Sequence, residues 1–109
     1  MKKLLLFGLR RNFKIIVTEI LKNSNYKIMG FIDKNFKEKF VIVEKKKIPN
    51  LTKKINKTLK IQDVRGIITF GDNYLRQKIY KNIKKINKKF KWESLVSKSS
   101  IIHKNVKIG

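Results

Sequence analysis

Short apolar runs alternate with segments of helical periodicity along this chain of 109 residues. Apolar runs without polar alternation are typical of parallel strands buried on both faces, whereas apolar residues three or four positions apart predict amphipathic helices. Segment 3–7 has the first pattern, and segments 26–33, 64–70 and 90–96 are further predicted strands, of which 64–70 is also predicted to be buried. Helical periodicity follows the first of these strands, from Phe13 to Lys22, and the third, where Leu75, Ile79 and Ile83 form one apolar stripe.

The middle of the chain has a weaker pattern. Segment 36–47 predicts a short third strand around 40–43, and the only proline, Pro49, ends this stretch. Asn50 is a candidate cap for a short helix over 51–59, because its side chain can accept a hydrogen bond from the first helical N–H groups. Asn12 and either Asp72 or Asn73 are candidate caps of the two longer helices.

The order of these elements predicts an α/β domain with a small Rossmann-like, doubly wound parallel sheet. Strands that alternate with helices form parallel sheets with helices on their faces, joined by right-handed crossovers. We expect this domain to occupy residues 1–95, since a chain of this length has room for one modest core.

The C-terminal segment has a period of six residues. Val96, Ile102 and Ile108 recur at this spacing, which is the phase of the left-handed parallel β-helix built from hexapeptide repeats. Residues 96–109 are therefore expected to be the first residues of such a β-helix. Because about three repeats are needed to bury a core, this segment is not expected to form a β-helix by itself.

A net charge of +22 makes nucleic acid the first partner to consider. The composition gives a second explanation: the chain has 25 lysines, 4 arginines and no alanine, as expected from an A+T-rich coding sequence. Arginine, which reads phosphate and guanine better than lysine, is not enriched, and the lysines are spread along the chain. We expect nucleic acid to bind only without sequence specificity.

Other classes of site have little support. The absence of cysteine excludes disulfides and thiolate metal sites, and one histidine with seven carboxylates leaves little for a metal cluster. No apolar run approaches the about 20 residues that cross a bilayer, and the N-terminal run stops at Gly8 before it could be a signal peptide. We expect a cytoplasmic protein without a membrane partner. His103 is expected to be a tail residue facing solvent rather than a catalyst.

Three turns that follow predicted strands are the candidate ligand site, because ligands of doubly wound sheets lie beyond the carboxyl ends of the strands. The first turn keeps only Gly8 of a dinucleotide-binding glycine pattern and has Arg10 and Arg11 in place of small residues, so NAD is not expected. Asp33 lies where an acidic residue accepts hydrogen bonds from ribose, and Gly71 opens the third turn. The alternative at each turn is structural: a tight bend at Gly8, an ordinary turn residue at Asp33, and simple helix capping after Gly71.

Four stretches of the chain, 3–14, 26–35, 67–80 and 90–109, resemble the N-terminal domain of the NeuD/PglD-like family of sugar O-acyltransferases and N-acetyltransferases. The third stretch is fairly specific, with a glycine, two polar residues and a later arginine after an apolar strand. The resemblance implies that this domain holds a free or nucleotide-activated sugar. It also implies that a following β-helix binds acetyl-CoA, carries the catalytic histidine and forms a homotrimer.

Position by position, the resemblance implies which residues bind the substrate, a UDP-sugar or a related sugar. Arg10, Arg11 and Asn12 lie, after Gly8, at the family's sugar-nucleotide turn, and Asp33 and Lys34 lie at its ribose or base contact. Gly71, which opens the third turn of the candidate site, lies at the family's second glycine turn. The two arginines could clamp a phosphate or close the pocket. The catalytic histidine has no counterpart in the chain, so we expect a substrate-binding fragment without catalytic residues or acetyl-CoA. The alternative is a basic, non-enzymatic nucleic-acid-binding module.

Overall fold

A computed structural model of the chain describes residues 2–9, 12–22, 25–69 and 73–93. In these residues the strands are β1 (Lys2–Phe7), β2 (Tyr26–Ile32), β3 (Phe40–Val43), β4 (Lys46–Pro49), β5 (Val64–Ile68) and β6 (Lys91–Trp92). The helices are α1 (Phe13–Leu21), α2 (Ile55–Thr58), which follows a 3₁₀ turn at Thr52–Lys54, and α3 (Asn73–Ile86).

Four of the strands form a parallel sheet in the order β2-β1-β5-β6. The chain goes from β1 to β2 on one side and then returns to β5 on the other side of β1. The strand order therefore reverses between β1 and β5, which is the switch point where doubly wound sheets bind ligands. The predicted Rossmann-like α/β fold is confirmed.

The core has two layers, one on each face of this sheet. On one face α1 covers alternate β1 residues, and the buried set is Leu4, Leu6, Phe13, Ile16, Val17, Ile20, Phe31, Val43, Ile48 and Ile67. On the other face α2 and α3 cover the remaining β1 residues, and the buried set is Leu5, Phe7, Ile32, Leu59, Val64, Ile68 and Ile83. Both faces of β1 are buried, which explains its continuous apolar run.

An antiparallel hairpin of β3 and β4 lies between β2 and β5 in sequence. The expected strand at 40–43 is present, but its partner β4 was not predicted. The turn between them is formed by Glu44 and Lys45, both with positive φ (51° and 63°), where glycine or asparagine is usual. Because neither residue is typical of such a turn, the sequence carried no hairpin signal.

Several predicted boundaries differ from the structure. The helix expected over 51–59 is a 3₁₀ turn followed by one short helix, although Asn50 does accept a hydrogen bond from the Thr52 N–H (3.1 Å). Asn12 is the N-cap residue of α1, as predicted, and its carbonyl accepts from the Ile16 N–H (3.0 Å), but its side chain makes no capping bond. The segment 96–109 with His103 lies outside the described residues, as do Arg10, Arg11 and Gly71. No helix within the described ranges is long and apolar enough to cross a membrane.

Candidate ligand site at the carboxyl edge of the sheet

The ends of β1, β2 and β5 meet at the switch point. The N–H of Gly8, just after β1, donates to the Ile32 carbonyl at the end of β2 (2.9 Å). The N–H of Thr69, just after β5, donates to the Phe7 carbonyl (3.1 Å). Gly8 has a φ of 97°, a backbone conformation that side chains with a Cβ rarely adopt, so the bend there depends on glycine. The sheet thus brings the first and second predicted turns together.

Asp33 connects these two turns directly. One carboxylate oxygen, Oδ2, accepts from the Leu9 N–H at 2.8 Å, and Oδ1 accepts from the Asn35 N–H at 2.9 Å. A carboxylate has about four lone-pair positions. Each oxygen therefore keeps the capacity to accept one further hydrogen bond, and the carboxylate is half-buried rather than enclosed.

Thr69 was not predicted as part of this edge. It is fully buried, and its hydroxyl lies 2.6 Å from the Gly8 carbonyl oxygen and 3.2 Å from that of Phe7. The hydroxyl donates to the chain where it leaves β1. In sequence a threonine after an apolar run looks like any other strand residue, so no local signal marked it.

Four backbone N–H groups at this edge are already paired. Those of Gly8 and Thr69 donate to carbonyl groups, that of Leu9 donates to Asp33, and that of Asp33 donates to the Thr52 hydroxyl (2.8 Å). A phosphate held at a helix N-terminus needs free N–H donors. The Asp33 carboxylate already accepts the Leu9 N–H in the turn before α1, so the N–H groups of Gly8, Leu9, Asp33 and Thr69 do not offer a phosphate cradle. The arrangement favours a ligand that donates from hydroxyl groups.

The other predicted site residues have less defined surroundings. Lys34 is exposed and follows Asp33 directly, and Asn12 is half-buried at the start of α1. Arg76, the arginine of the 67–80 stretch, is buried on α3 and donates to the Tyr80 hydroxyl (3.0 Å). Through this bond Arg76 is linked to the aromatic side chains that α3 covers, because Tyr80 packs on Trp92 (centroids 4.8 Å apart).

Two cavities lie away from this edge. One of about 150 Å³ lies near the start of β5 and β6, lined by residues that include Asp63, Arg65 and Lys91. Another of about 220 Å³ lies between α3 and β6, where Tyr80 and Trp92 are among the lining residues. Neither is lined by a predicted site residue. Among the described residues, no group of three or more histidine or carboxylate side chains could hold a metal ion.

The fold and this edge define a doubly wound α/β domain with a carboxylate fixed at the carboxyl edge of its sheet, beside the switch point. The family model of the PglD N-terminal domain matches residues 14–83, well over half of the chain. The chain belongs to this family, the N-terminal domain of a family of acetyltransferases. The match includes Asp33, Lys34 and Gly71 but begins after the turn that holds Arg10 and Arg11. Comparison with curated proteins and with solved structures finds no match.

Proposed function

We propose that this domain binds a nucleotide-activated sugar, such as a UDP-sugar, at the carboxyl edge of its sheet, as the substrate domain of a sugar O- or N-acetyltransferase. The observation that carries the proposal is the Asp33 carboxylate, held beside the switch point by Leu9 and Asn35 with acceptor capacity left over. Membership of the PglD N-terminal domain family supports the acetyltransferase context.

In this proposal Asp33 accepts hydrogen bonds from hydroxyl groups of the ribose or the sugar. The pyrophosphate requires positive charge, and the N–H groups of Gly8, Leu9 and Asp33 are paired within the protein. Side-chain cations therefore take that role: Lys34 beside Asp33, and Arg10 or Arg11 if they clamp rather than block. Gly8 and Asn12 belong to the site at the first turn, and the sequence predicts that Gly71 belongs to it at the third.

Acetyl transfer itself is not assigned to this domain. By the family resemblance, acetyl-CoA supplies the acetyl group when it is bound to a hexapeptide-repeat β-helix, which also holds the catalytic histidine. The residues that this proposal assigns to the substrate are hydrogen-bond acceptors and cations, which bind it without reacting with it. The role proposed for this domain is to bind the sugar nucleotide.

Removal of the Asp33 carboxylate tests the proposal. Asp33→Ala should weaken binding of UDP-N-acetylglucosamine, used as a probe, by about tenfold or more, the cost of losing hydrogen bonds to a charged group. Isothermal titration calorimetry measures this change. Asp63→Ala, which removes an exposed carboxylate before β5 at the other edge of the sheet, is the matched control and should leave the affinity unchanged. Equal affinities for Asp33→Ala and Asp63→Ala would contradict the role of Asp33.

Arg11→Gly distinguishes the two roles of the arginines in the same titration. Affinity falls if Arg11 clamps the pyrophosphate and rises if Arg11 closes the pocket. Absence of UDP-sugar binding to both the wild type and Arg11→Gly would mean that the site is vestigial and that the proposed function is wrong.

A second candidate function is nucleic-acid binding, favoured by the outer face of α3. Its lysines are exposed, and Tyr74 is 74% exposed with the Lys78 amine 5.9 Å from its ring centroid. This exposed aromatic residue was not recognised from the sequence. A single aromatic gives little selectivity, so we expect only non-specific binding, with Kd of about 10⁻⁴ to 10⁻⁶ M and a steep loss of affinity with salt.

Fluorescence anisotropy with two oligonucleotides of unrelated sequence checks this expectation. Their affinities should be similar and should fall together as the salt concentration increases. A preference of more than about a hundredfold for one of them would instead support a sequence-specific module.

A further inference from the structure

We infer that Thr52, held in turn by Asn50, is the positioning residue that sets the direction of the Asp33 carboxylate. In its effect on ligand affinity this inference rests on the proposed function. The expected effect on the Asp33 turn depends only on the hydrogen bonds of Thr52 and Asn50. Neither residue belongs to the candidate site derived from the sequence.

Thr52 fixes the backbone of Asp33. Its hydroxyl oxygen accepts from the Asp33 N–H at 2.8 Å, and the hydroxyl lies 2.5 Å from Asn50 Oδ1 and 3.3 Å from the Asp33 carbonyl oxygen. A hydroxyl has one proton to donate, and the shorter contact assigns it to Asn50. Thr52 thereby links Asp33 to Asn50, and both Asp33 backbone polar groups face the same side chain.

Asn50 fixes the rest of the loop that follows β2. Its Nδ2 group donates to the carbonyl groups of Phe36 (3.1 Å) and Glu38 (2.9 Å), and its backbone N–H donates to the Lys39 carbonyl (2.8 Å). Its Oδ1 accepts from Thr52. The hydrogen-bonding groups of the Asn50 side chain are thus all used, and segment 33–39 is tied at both ends to a short stretch of chain.

That short stretch is itself fixed against β2. Asn50 forms a parallel bridge with Phe31, and the Leu51 N–H donates to the Phe31 carbonyl (2.8 Å). Gly30 permits this close approach, because a Cβ there would lie 2.7 Å from the Pro49 carbonyl oxygen and 2.5 Å from the Leu51 side chain. Thr52 therefore stands on a rigid support, which is what a positioning role requires.

The direct consequence concerns the Leu9 and Asn35 N–H groups, which donate to the Asp33 carboxylate. If Thr52 no longer holds the Asp33 backbone, the carboxylate should lose its fixed direction toward Leu9 and Asn35. Thr52→Val keeps the shape of the side chain but removes both hydrogen bonds of the hydroxyl, whereas Thr52→Ser keeps them. Thr58→Val is the matched control, because Thr58 is a buried threonine nearby whose hydroxyl donates to the Lys54 carbonyl (2.8 Å), away from Asp33.

The experiment measures amide hydrogen exchange by NMR and UDP-N-acetylglucosamine binding by calorimetry in the full chain. In Thr52→Val we expect the Leu9 and Asn35 amides to exchange about five- to tenfold faster than in Thr58→Val, as for loss of one hydrogen bond. The UDP-sugar Kd should rise by a similar factor, and Thr52→Ser should restore both values. If Thr52→Val does not fold, Asn50→Asp provides the second variant: it removes the two Nδ2 donors and should accelerate exchange at the same two amides.

The outcomes are separable. If exchange at Leu9 and Asn35 is the same in Thr52→Val and Thr58→Val, or changes uniformly along the chain, the positioning role is wrong. If the two amides respond but no variant, including the wild type, binds the UDP-sugar, the positioning role is supported and the proposed function fails.

Discussion

Phe31→Ala is expected to lower the free energy of unfolding by about 3–5 kcal/mol, the usual cost of truncating a buried phenylalanine. Phe31 has no exposed surface and lies at the centre of the α1 side of the core. Its ring packs edge-on against Phe13 of α1 (5.8 Å between centroids) and Phe36 of the loop after β2 (5.6 Å). The truncation removes the side chain that joins β2 to both, so urea unfolding followed by circular dichroism should show the change.

Phe40→Ala is the matched control for this measurement. Phe40 is 39% exposed on the hairpin, and the Lys47 amine lies 4.3 Å from its ring centroid. An exposed cation–π pair contributes about 0.5–1 kcal/mol, so the loss should remain well below that of Phe31→Ala. Equal losses in the two variants would contradict the placement of Phe31 in the core.

Gly66→Ala is expected to cost about 2–3 kcal/mol, although it adds one methyl group. Gly66 lies in β5 beneath an aromatic cluster, and a Cβ there would lie 2.7 Å from Phe90 Cε2 and from Trp92 Cζ3. The Trp92 ring is confined by Phe7 (5.1 Å between centroids) and Tyr80 (4.8 Å), so it has little freedom to withdraw. Unfolding in urea, monitored by circular dichroism, gives the loss directly.

A double-mutant cycle isolates the cause. In a Trp92→Leu background the smaller side chain leaves room for the new methyl group, and Gly66→Ala should cost clearly less than in the wild type. If the cost were the same in both backgrounds, the clash with Trp92 would not be its source.

The sheet could be predicted from sequence because its central strands, β1 and β5, are buried on both faces. The run Leu4, Leu5 and Leu6 is continuous precisely where α1 covers one face and α2 and α3 cover the other. The hairpin was only half predicted. Val43 and Ile48 alternate with exposed residues and form its buried face. In the turn, however, Glu44 and Lys45 have positive φ, although neither is a residue type that favours turns.

The candidate site was predictable where topology alone brings residues together. Gly8 and Asp33 each follow a strand of the same parallel sheet, and the sheet places both turns at one edge. Thr69 and Thr52 were missed because their roles depend on contacts across sequence separations of 61 and 19 residues. Nothing in the residues next to them indicates those contacts.

The paired N–H groups at the carboxyl edge have a consequence for how substrate preference can change during evolution. When backbone N–H groups bind the ligand, a change of ligand requires a change in the main-chain path of the loop. Here the Gly8 N–H donates to the Ile32 carbonyl, the Leu9 N–H to the Asp33 carboxylate and the Asp33 N–H to the Thr52 hydroxyl. Under the proposed function, side chains such as Lys34, rather than these backbone groups, bind the ligand. Single substitutions would then change which sugar is bound while the loop backbone and the sheet stay the same.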